Sequence, residues 1–225
     1  LARLNDPRKA IVTVEDPIGR KSDGITKVQV NARAGLTFAS GLRSILRQDP
    51  DTIMVGEIRD SETAEIAIRA AITGHLVLST IHTNDALSTV IRLVDMGVEP
   101  FLVASSVKCV IAQRLVKKLC PHCKKELDVE SSDNILLHTD YKKAFAPVGC
   151  PKCNNMGYSG RTAVFEIVLI DSKLERMISE GASVEDLKKY AATKNLRTLR
   201  DEVLDLVENG KTSIEEAVRI LFTAE

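Results

Sequence analysis

Thr52-Ile53-Met54-Val55-Gly56-Glu57-Ile58-Arg59-Asp60-Ser61-Glu62-Thr63-Ala64 reads as a short apolar strand, a polar break and the start of a helix. Thr52 to Val55 is a buried-strand run. Ser61 opens the helix, with Ile66, Ala67, Ala70 and Ala71 on one side. Gly74 ends it, and His75 to Ile81 is the next strand. Asp85 is placed to cap a further helix, which runs to Met96 and closes at Gly97. Upstream, Ala10 to Val14 and Thr26 to Val30 are strand runs. Between them and Thr52, Thr37 to Gln48 reads as a helix, with Phe38, Leu42, Ile45 and Leu46 near one face. Strands separated by helices of this length predict an α/β domain with a largely parallel sheet.

Past this region the pattern predicts a helix over Pro100 to Gln113, with Cys109 as a small core residue. Residues 118–160 break the rhythm, being poor in long apolar runs and rich in turn formers near Pro147, Gly149 and Gly157. Arg161 to Ile170 returns as a strand. The tail is helical over Leu174 to Glu180, Val184 to Thr193, Leu199 to Asn209 and Ile214 to Thr223. Ser183 and Ser213 are expected N-caps, and Gly181 and Gly210 expected helix ends. The expected organisation is therefore 1–117, 118–160 and 161–225.

Composition narrows the functional classes. The 225 residues hold 31 basic and 31 acidic side chains, which disfavours a generally basic nucleic-acid binder. The hydrophobic share of 44% is enough to bury a core and excludes global disorder. No apolar run reaches the roughly 18 residues of a membrane span. The chain opens Leu1-Ala2-Arg3 and enters a strand run almost at once, so the expectation is a piece of a longer protein.

Four of the five cysteines form two pairs, Cys120-Pro121-His122-Cys123 and Cys150-Pro151-Lys152-Cys153. Each Cys-x-x-Cys puts two thiolates on one tight turn, and two such turns complete a tetrahedral Cys₄ shell suited to Zn²⁺. With no open coordination position, the metal's role would be structural. The odd count and tight pairing argue against a disulfide framework. His122 reads as a spacer.

In α/β sheets, chemistry gathers beyond the carboxyl ends of the strands. Three strands here end in polar clusters, at Glu15-Asp16-Pro17, at Gly56-Glu57-Ile58-Arg59-Asp60 and at His82-Thr83-Asn84-Asp85. An apolar strand followed by an acid resembles a Walker B strand, whose carboxylate faces a nucleotide-bound Mg²⁺ or its water. Many buried strands also end in an acid that caps the next helix. The phosphate-cradling Gly-x-x-x-x-Gly-Lys-Ser/Thr loop is not found. Gly210-Lys211-Thr212 comes nearest, but Asp205 stands where the first glycine is required, and the context is helix to helix. If this is an ATPase, its phosphate cradle is expected upstream of Leu1.

Five stretches stand in one order: Glu15-Asp16-Pro17-Ile18, Val28-Gln29-Val30-Asn31, Leu42-Arg43-Ser44-Ile45-Leu46-Arg47-Gln48-Asp49-Pro50-Asp51, Gly56-Glu57-Ile58-Arg59-Asp60 and Gly74-His75-Leu76 through Asp85-Ala86. Together they closely resemble the ATPases of type II secretion and type IV pilus assembly, and the two Cys-x-x-Cys pairs resemble that family's tetracysteine zinc insertion. The resemblance implies a partial RecA-like motor domain, a zinc insertion and a C-terminal helical region. It implies ATP, Mg²⁺ and Zn²⁺ as cofactors and a homohexamer on the cytoplasmic face of the inner membrane. The implied partners are a membrane platform protein and, through it, pilin or pseudopilin subunits, with no nucleic acid. Position by position, Glu15 and Asp16 match the Asp box, whose glutamate activates or orients the attacking water. Glu57 matches the Walker B acid, with Arg59 beside it; His82 matches the His box, a sensor close to the γ-phosphate, and His75 belongs to the same motif as its structural partner. Arg43 and Arg47, one helical turn apart, match arginines used near the phosphates or across a subunit boundary. Gly19 departs from the pattern, since many members carry an acid there. The zinc insertion favours extension or secretion motors over retraction motors. Rival readings are a non-enzymatic zinc docking module and a DNA-translocating ATPase of the RecA-like group.

Overall fold

Ile11–Glu15 is buried at every one of its five positions, so this strand (β1) is covered on both faces. That is the signature of a strand inside a parallel sheet. In the computed structural model, which describes residues 1–222, β1 pairs in parallel with Thr26–Gln29 (β2) on one side and Thr52–Val55 (β3) on the other. Leu76–Ser79 (β4) joins β3, also in parallel, giving the order β2-β1-β3-β4. The predicted α/β fold with a parallel sheet is what the structure contains.

Helices cover the sheet. Phe38–Ile45 (α1) turns Ala39, Gly41, Leu42 and Ile45 inward. A Cβ on Gly41 would come within 3.1 Å of Val14 Cγ2, so glycine sets how closely α1 approaches β1. The helix expected over Thr37–Gln48 gives way after Ile45 to a 3₁₀ turn, Leu46–Gln48, ended by Asp49 in the left-handed region. Ser61–Ile72 (α2) begins where expected, with Asp60 as its cap: that carboxylate accepts the Thr63 amide at 2.8 Å. Ala86–Asp95 (α3) and Pro100–Ser106 (α4) follow.

Here the structure corrects the sequence reading. The helix expected over Pro100–Gln113 stops at Ser106, and Cys109–Leu119 is a strand (β5). Burial alternates along it, with Val110, Ala112 and Val116 inside. Cys109 falls on the outward parity and is exposed, not a core residue. Tyr158–Leu169 (β8) pairs with β5. Between them lie the antiparallel hairpin Lys125–Asp128 (β6) and Lys143–Ala146 (β7), and the helix Ser131–Leu137 (α5).

The tail forms Ser172–Ser179 (α6), Val184–Thr193 (α7), Leu199–Glu208 (α8) and Ile214–Phe222 (α9). Thr223, the expected last residue of that helix, lies outside the described residues. The chain divides into two compact units. The first holds Leu1–Thr83, Leu87–Val110 and Leu169–Ala191; the second holds Asn84–Ala86, Ile111–Val168 and the described residues from Ala192 on. The C-terminal helices are thus shared out: α6 packs on α4 in the first unit, and α8 and α9 pack on β7 in the second. Among the described residues, no helix is long and apolar enough to cross a membrane.

Ile53, fully buried in β3, tests the sheet. Ile53→Ala is expected to lower the unfolding free energy by about 2–5 kcal/mol, read from urea denaturation.

Candidate functional site

The carboxyl ends of β1, β3 and β4 lie side by side because their registers align. Val14 sits opposite Val55, and Val55 opposite Ser79. Past the strands the pairing continues: the Gly56 amide donates to the Val14 carbonyl at 2.7 Å, and the Ile58 amide to the Thr80 carbonyl at 2.9 Å. Thr80 Oγ1 donates to the Gly56 carbonyl at 2.7 Å. A Cβ on Gly56 would stand 3.2 Å from the Val14 carbonyl oxygen and 3.3 Å from Glu15 Cα, so a side chain there would push the strand ends apart.

On this edge the structure brings together Glu57, Arg59 and His82. Glu57 Oε2 receives Arg59 Nε at 2.6 Å and lies 3.5 Å from His82 Nε2. The carboxylate is mostly sheltered, while the His82 ring is 85% exposed. An exposed imidazole on a sheltered acid is free to exchange that partner for an arriving anion.

Glu15 is held differently. Its Oε1 accepts Thr13 Oγ1 and Lys27 Nζ, each at 2.7 Å, and its Oε2 accepts the Gly19 amide at 3.2 Å. Strand period places Thr13 and Glu15 on one face of β1, and register places Lys27 opposite Thr13. Burial pushes the Glu15 carboxyl up, but Lys27, Thr13 and the Gly19 amide together outweigh it and leave the pKa lowered. Lys27 was not among the residues singled out from sequence. It announces itself only as a cross-strand neighbour.

The remaining candidates fall elsewhere. Asp16 follows Glu15 and is exposed. The His75 ring closes α2: Nδ1 lies 2.9 Å from the Ala70 carbonyl, which can only accept, so Nδ1 carries the proton. Arg43 pairs with Glu62 in the first turn of α2, both half exposed, and Arg47 stands exposed on the 3₁₀ turn. The break after Ile45 means the two arginines do not share one regular helix.

The second cluster is Cys120, Cys123, Cys150 and Cys153, whose Sγ atoms all lie within 4.8 Å of one another. The Cys120–Cys150, Cys123–Cys153 and Cys150–Cys153 separations are 4.0, 3.8 and 3.8 Å. A tetrahedron with Zn–S of about 2.3 Å has S···S edges of about 3.8 Å, so the donor set fits this ion. Burial alone would raise the Cys153 thiol, but amides of Cys150 and Gly157 aimed at its sulfur, with the neighbouring thiols, bring it down to about 6. Amides aimed at the sulfur favour the thiolate, which is the form that binds a metal ion.

Gly210-Lys211-Thr212 serves this unit as a splice. The Leu119 amide donates to the Lys211 carbonyl at 2.9 Å, Thr212 Oγ1 to the Lys117 carbonyl at 2.8 Å, and Lys124 Nζ to the Gly210 carbonyl at 2.7 Å. Gly210 has φ +59, and a Cβ there would meet the Phe145 ring at 2.6 Å.

Residues 1–219 match the model of the family described as type II/IV secretion system protein. The chain belongs to that family. It is 50% identical to the type II secretion system protein HxcR of Pseudomonas aeruginosa over 98% of this chain and 44% of that protein. It is 48% identical to the type II secretion system ATPase E of Vibrio cholerae, with the same two coverages. Against the type IV pilus assembly ATPase PilB of Thermus thermophilus the identity is 44%, over 97% of this chain and 25% of PilB. The chain spans less than half the length of these curated relatives. The crystal structure of the pilus retraction motor PilT with bound ADP superposes with a TM-score of 0.66 at 28% identity, over 94% of this chain and 52% of that one. The Legionella pneumophila ATPase DotB shares the fold, with a TM-score of 0.67 at 23% identity over 96% of this chain and 52% of DotB.

Because the folded pKa of Glu15 lies below its ordinary value, its ion pair stabilises this fold at neutral pH. That contribution fades as pH falls through the carboxylate range. The side chains of Lys27 and Glu15 are only 12% and 11% exposed. Lys27→Met is therefore expected to cost about 3 kcal/mol near pH 7, and the gap to wild type to shrink towards about pH 3, in urea unfolding at both.

Proposed function

We propose that this chain is the C-terminal part of a motor ATPase that couples ATP hydrolysis to type II secretion or type IV pilus extension. The observation that carries this reading is the meeting of Glu57, Arg59 and His82 beside Glu15, at the carboxyl ends of three parallel strands. Phosphoryl transfer asks for positioning and charge neutralisation more than for covalent chemistry, and these groups supply both. Mg²⁺, when bound, would neutralise charge on the phosphates, and Glu57 would hold its water shell. His82 would leave Glu57 for the γ-phosphate and register its loss. Glu15, its basicity lowered by three donors, would orient the attacking water rather than remove its proton at the start. Arg43 and Arg47, both exposed, would serve phosphates or a neighbouring subunit, and Asp16 and His75 would support the nucleotide site from its flanks.

The phosphate cradle would come from outside these 225 residues. In support, β4 ends the sheet: Leu76 is 46% exposed there, and the strand's outer side carries no partner among the described residues. A strand leading into a phosphate loop would pair on that side. The whole protein would work as a homohexamer on the cytoplasmic face of the inner membrane and pass its motion to a platform protein. The second unit would be held by one Zn²⁺ on Cys120, Cys123, Cys150 and Cys153.

In the whole protein, Glu57→Gln is expected to reduce ATP turnover at least about a hundredfold while leaving nucleotide affinity within about threefold. Retained turnover would remove Glu57 from its role. Elemental analysis of this chain is expected to find about one zinc per molecule, and far less in Cys150→Ser, with a lower melting temperature.

A further inference from the structure

Glu15 is the last residue of β1, and its carboxylate is sheltered. An ionised carboxylate has about four acceptor positions, two on each oxygen. In Glu15 three of them are taken. Oε1 accepts both Thr13 Oγ1 and Lys27 Nζ, whereas Oε2 accepts the Gly19 amide alone. The open position is therefore on Oε2.

The neighbouring strand builds this asymmetry. Lys27 and Gln29 share one face of β2, with Lys27 opposite Thr13 and Gln29 opposite Glu15. Lys27 fills Oε1, while the Gln29 side-chain carbonyl accepts the Ile18 amide at 3.4 Å and holds the loop that brings Gly19 to Oε2. Among the described residues, Lys27 is the charged group that bonds Glu15. Asp16 and Arg20, in the loop after β1, are exposed. Glu57, past the end of β3, is engaged by Arg59 and His82, and Arg43 of α1 pairs with Glu62. All of these residues belong to the first unit.

We propose that Lys27 is a positioning residue for the reaction: together with Thr13 it occupies Glu15 Oε1, and so leaves Oε2, beside Gly19, as the atom of Glu15 that receives the attacking water. This rests on the reading of Glu15 as the acid that orients that water. Lys27 touches neither water nor nucleotide; it acts through Glu15. A proton on Glu15 would take the one open position, so the water is held only while the carboxylate is ionised. Burial pushes the Glu15 carboxyl up, and Lys27 leads the donors that hold it down.

A lysine that served stability alone would make the same ion pair, but the two roles respond to acid with opposite signs. The stability gap between wild type and a Lys27 variant narrows as pH falls, because protonating Glu15 removes what the pair contributed. The turnover gap widens instead, because without Lys27 the proton arrives on Glu15 at a higher pH. In the whole protein, kcat at saturating Mg²⁺-ATP is measured at about pH 8 and about pH 5.5 for wild type, Lys27→Gln, Lys27→Arg and Glu15→Gln, with melting temperatures at both. Lys27→Gln is expected to lower kcat about fivefold at the higher pH, and at least about fivefold more at the lower, relative to wild type. Lys27→Arg, which keeps the charge, is expected to hold the ratio of the two rates within about twofold of wild type. An unchanged ratio in Lys27→Gln, a gap that narrows towards the lower pH, or an equal fall in Lys27→Arg overturns the proposal. If Lys27→Gln fails to fold, Thr13→Val removes the other donor to Oε1 and carries the same test: a fallen ratio supports the proposal and an unchanged one overturns it. Wild-type turnover in Glu15→Gln overturns the reading of Glu15 itself, and this proposal with it. Lost turnover there beside an unmoved ratio in Lys27→Gln overturns the proposal alone.

Discussion

The hydrogen bond from the Gly56 amide to the Val14 carbonyl holds the site together. It extends the pairing of β1 and β3 one step past their last paired residues, and so lays Glu15 and Glu57 on neighbouring strand ends. The approach is close enough that only a residue without a Cβ sits there comfortably. Everything chemical in the first unit hangs from that alignment. The Thr80 hydroxyl, bonded to the Gly56 carbonyl, brings the third strand end into line and delivers His82 to Glu57. The sheet is a ruler: its registers decide which acids meet which bases.

The second unit is organised around a different constraint. Between β5 and β8 its chain buries Leu137 and Ala144 together with Cys120 and Cys153 of the thiol cluster, and one tight turn joins this stretch to the tail. The Gly210–Thr212 turn accepts bonds from Leu119 and Lys124 and donates one, from Thr212 Oγ1, to the Lys117 carbonyl, while buried Glu216 accepts the Lys117 amide at 2.9 Å. Glu216 is 2% exposed, and Arg219 and Lys117 keep it ionised, its pKa lowered although burial alone would raise it. The result is a knuckle pinned to the C-terminal helices rather than a free loop.

Much of this was legible in the sequence because periodicity and strand ends are local. Thr52–Val55 and Leu76–Ser79 are short apolar runs set between helical patterns, and polar clusters following such strands mark the chemical edge of the sheet. The paired cysteines announced their cluster by spacing alone. What failed was the segment after Pro100. Val107 to Ala112 satisfies both helical and alternating patterns, and only β8 as a partner decides for the strand. Lys27 and the buried Glu166 of β8, whose carboxylate accepts the Ala86 and Leu199 amides, were missed for the same reason, since their partners lie across strands or far along the chain. A signal for Glu166 did exist: in Val164-Phe165-Glu166-Ile167-Val168 the charged residue shares the parity of the two buried valines, and an acid at a core position asks for an explanation.

The open side of β4 has a consequence for the molecule as a physical object. Four residues there, Leu76 to Ser79, display main-chain donors and acceptors in a straight row beside half-exposed apolar side chains. Such a margin accepts any strand that arrives, including the same margin of a second molecule. Among the described residues nothing pairs along that margin, so a strand from outside them, in the same chain or in another, would lengthen the sheet there.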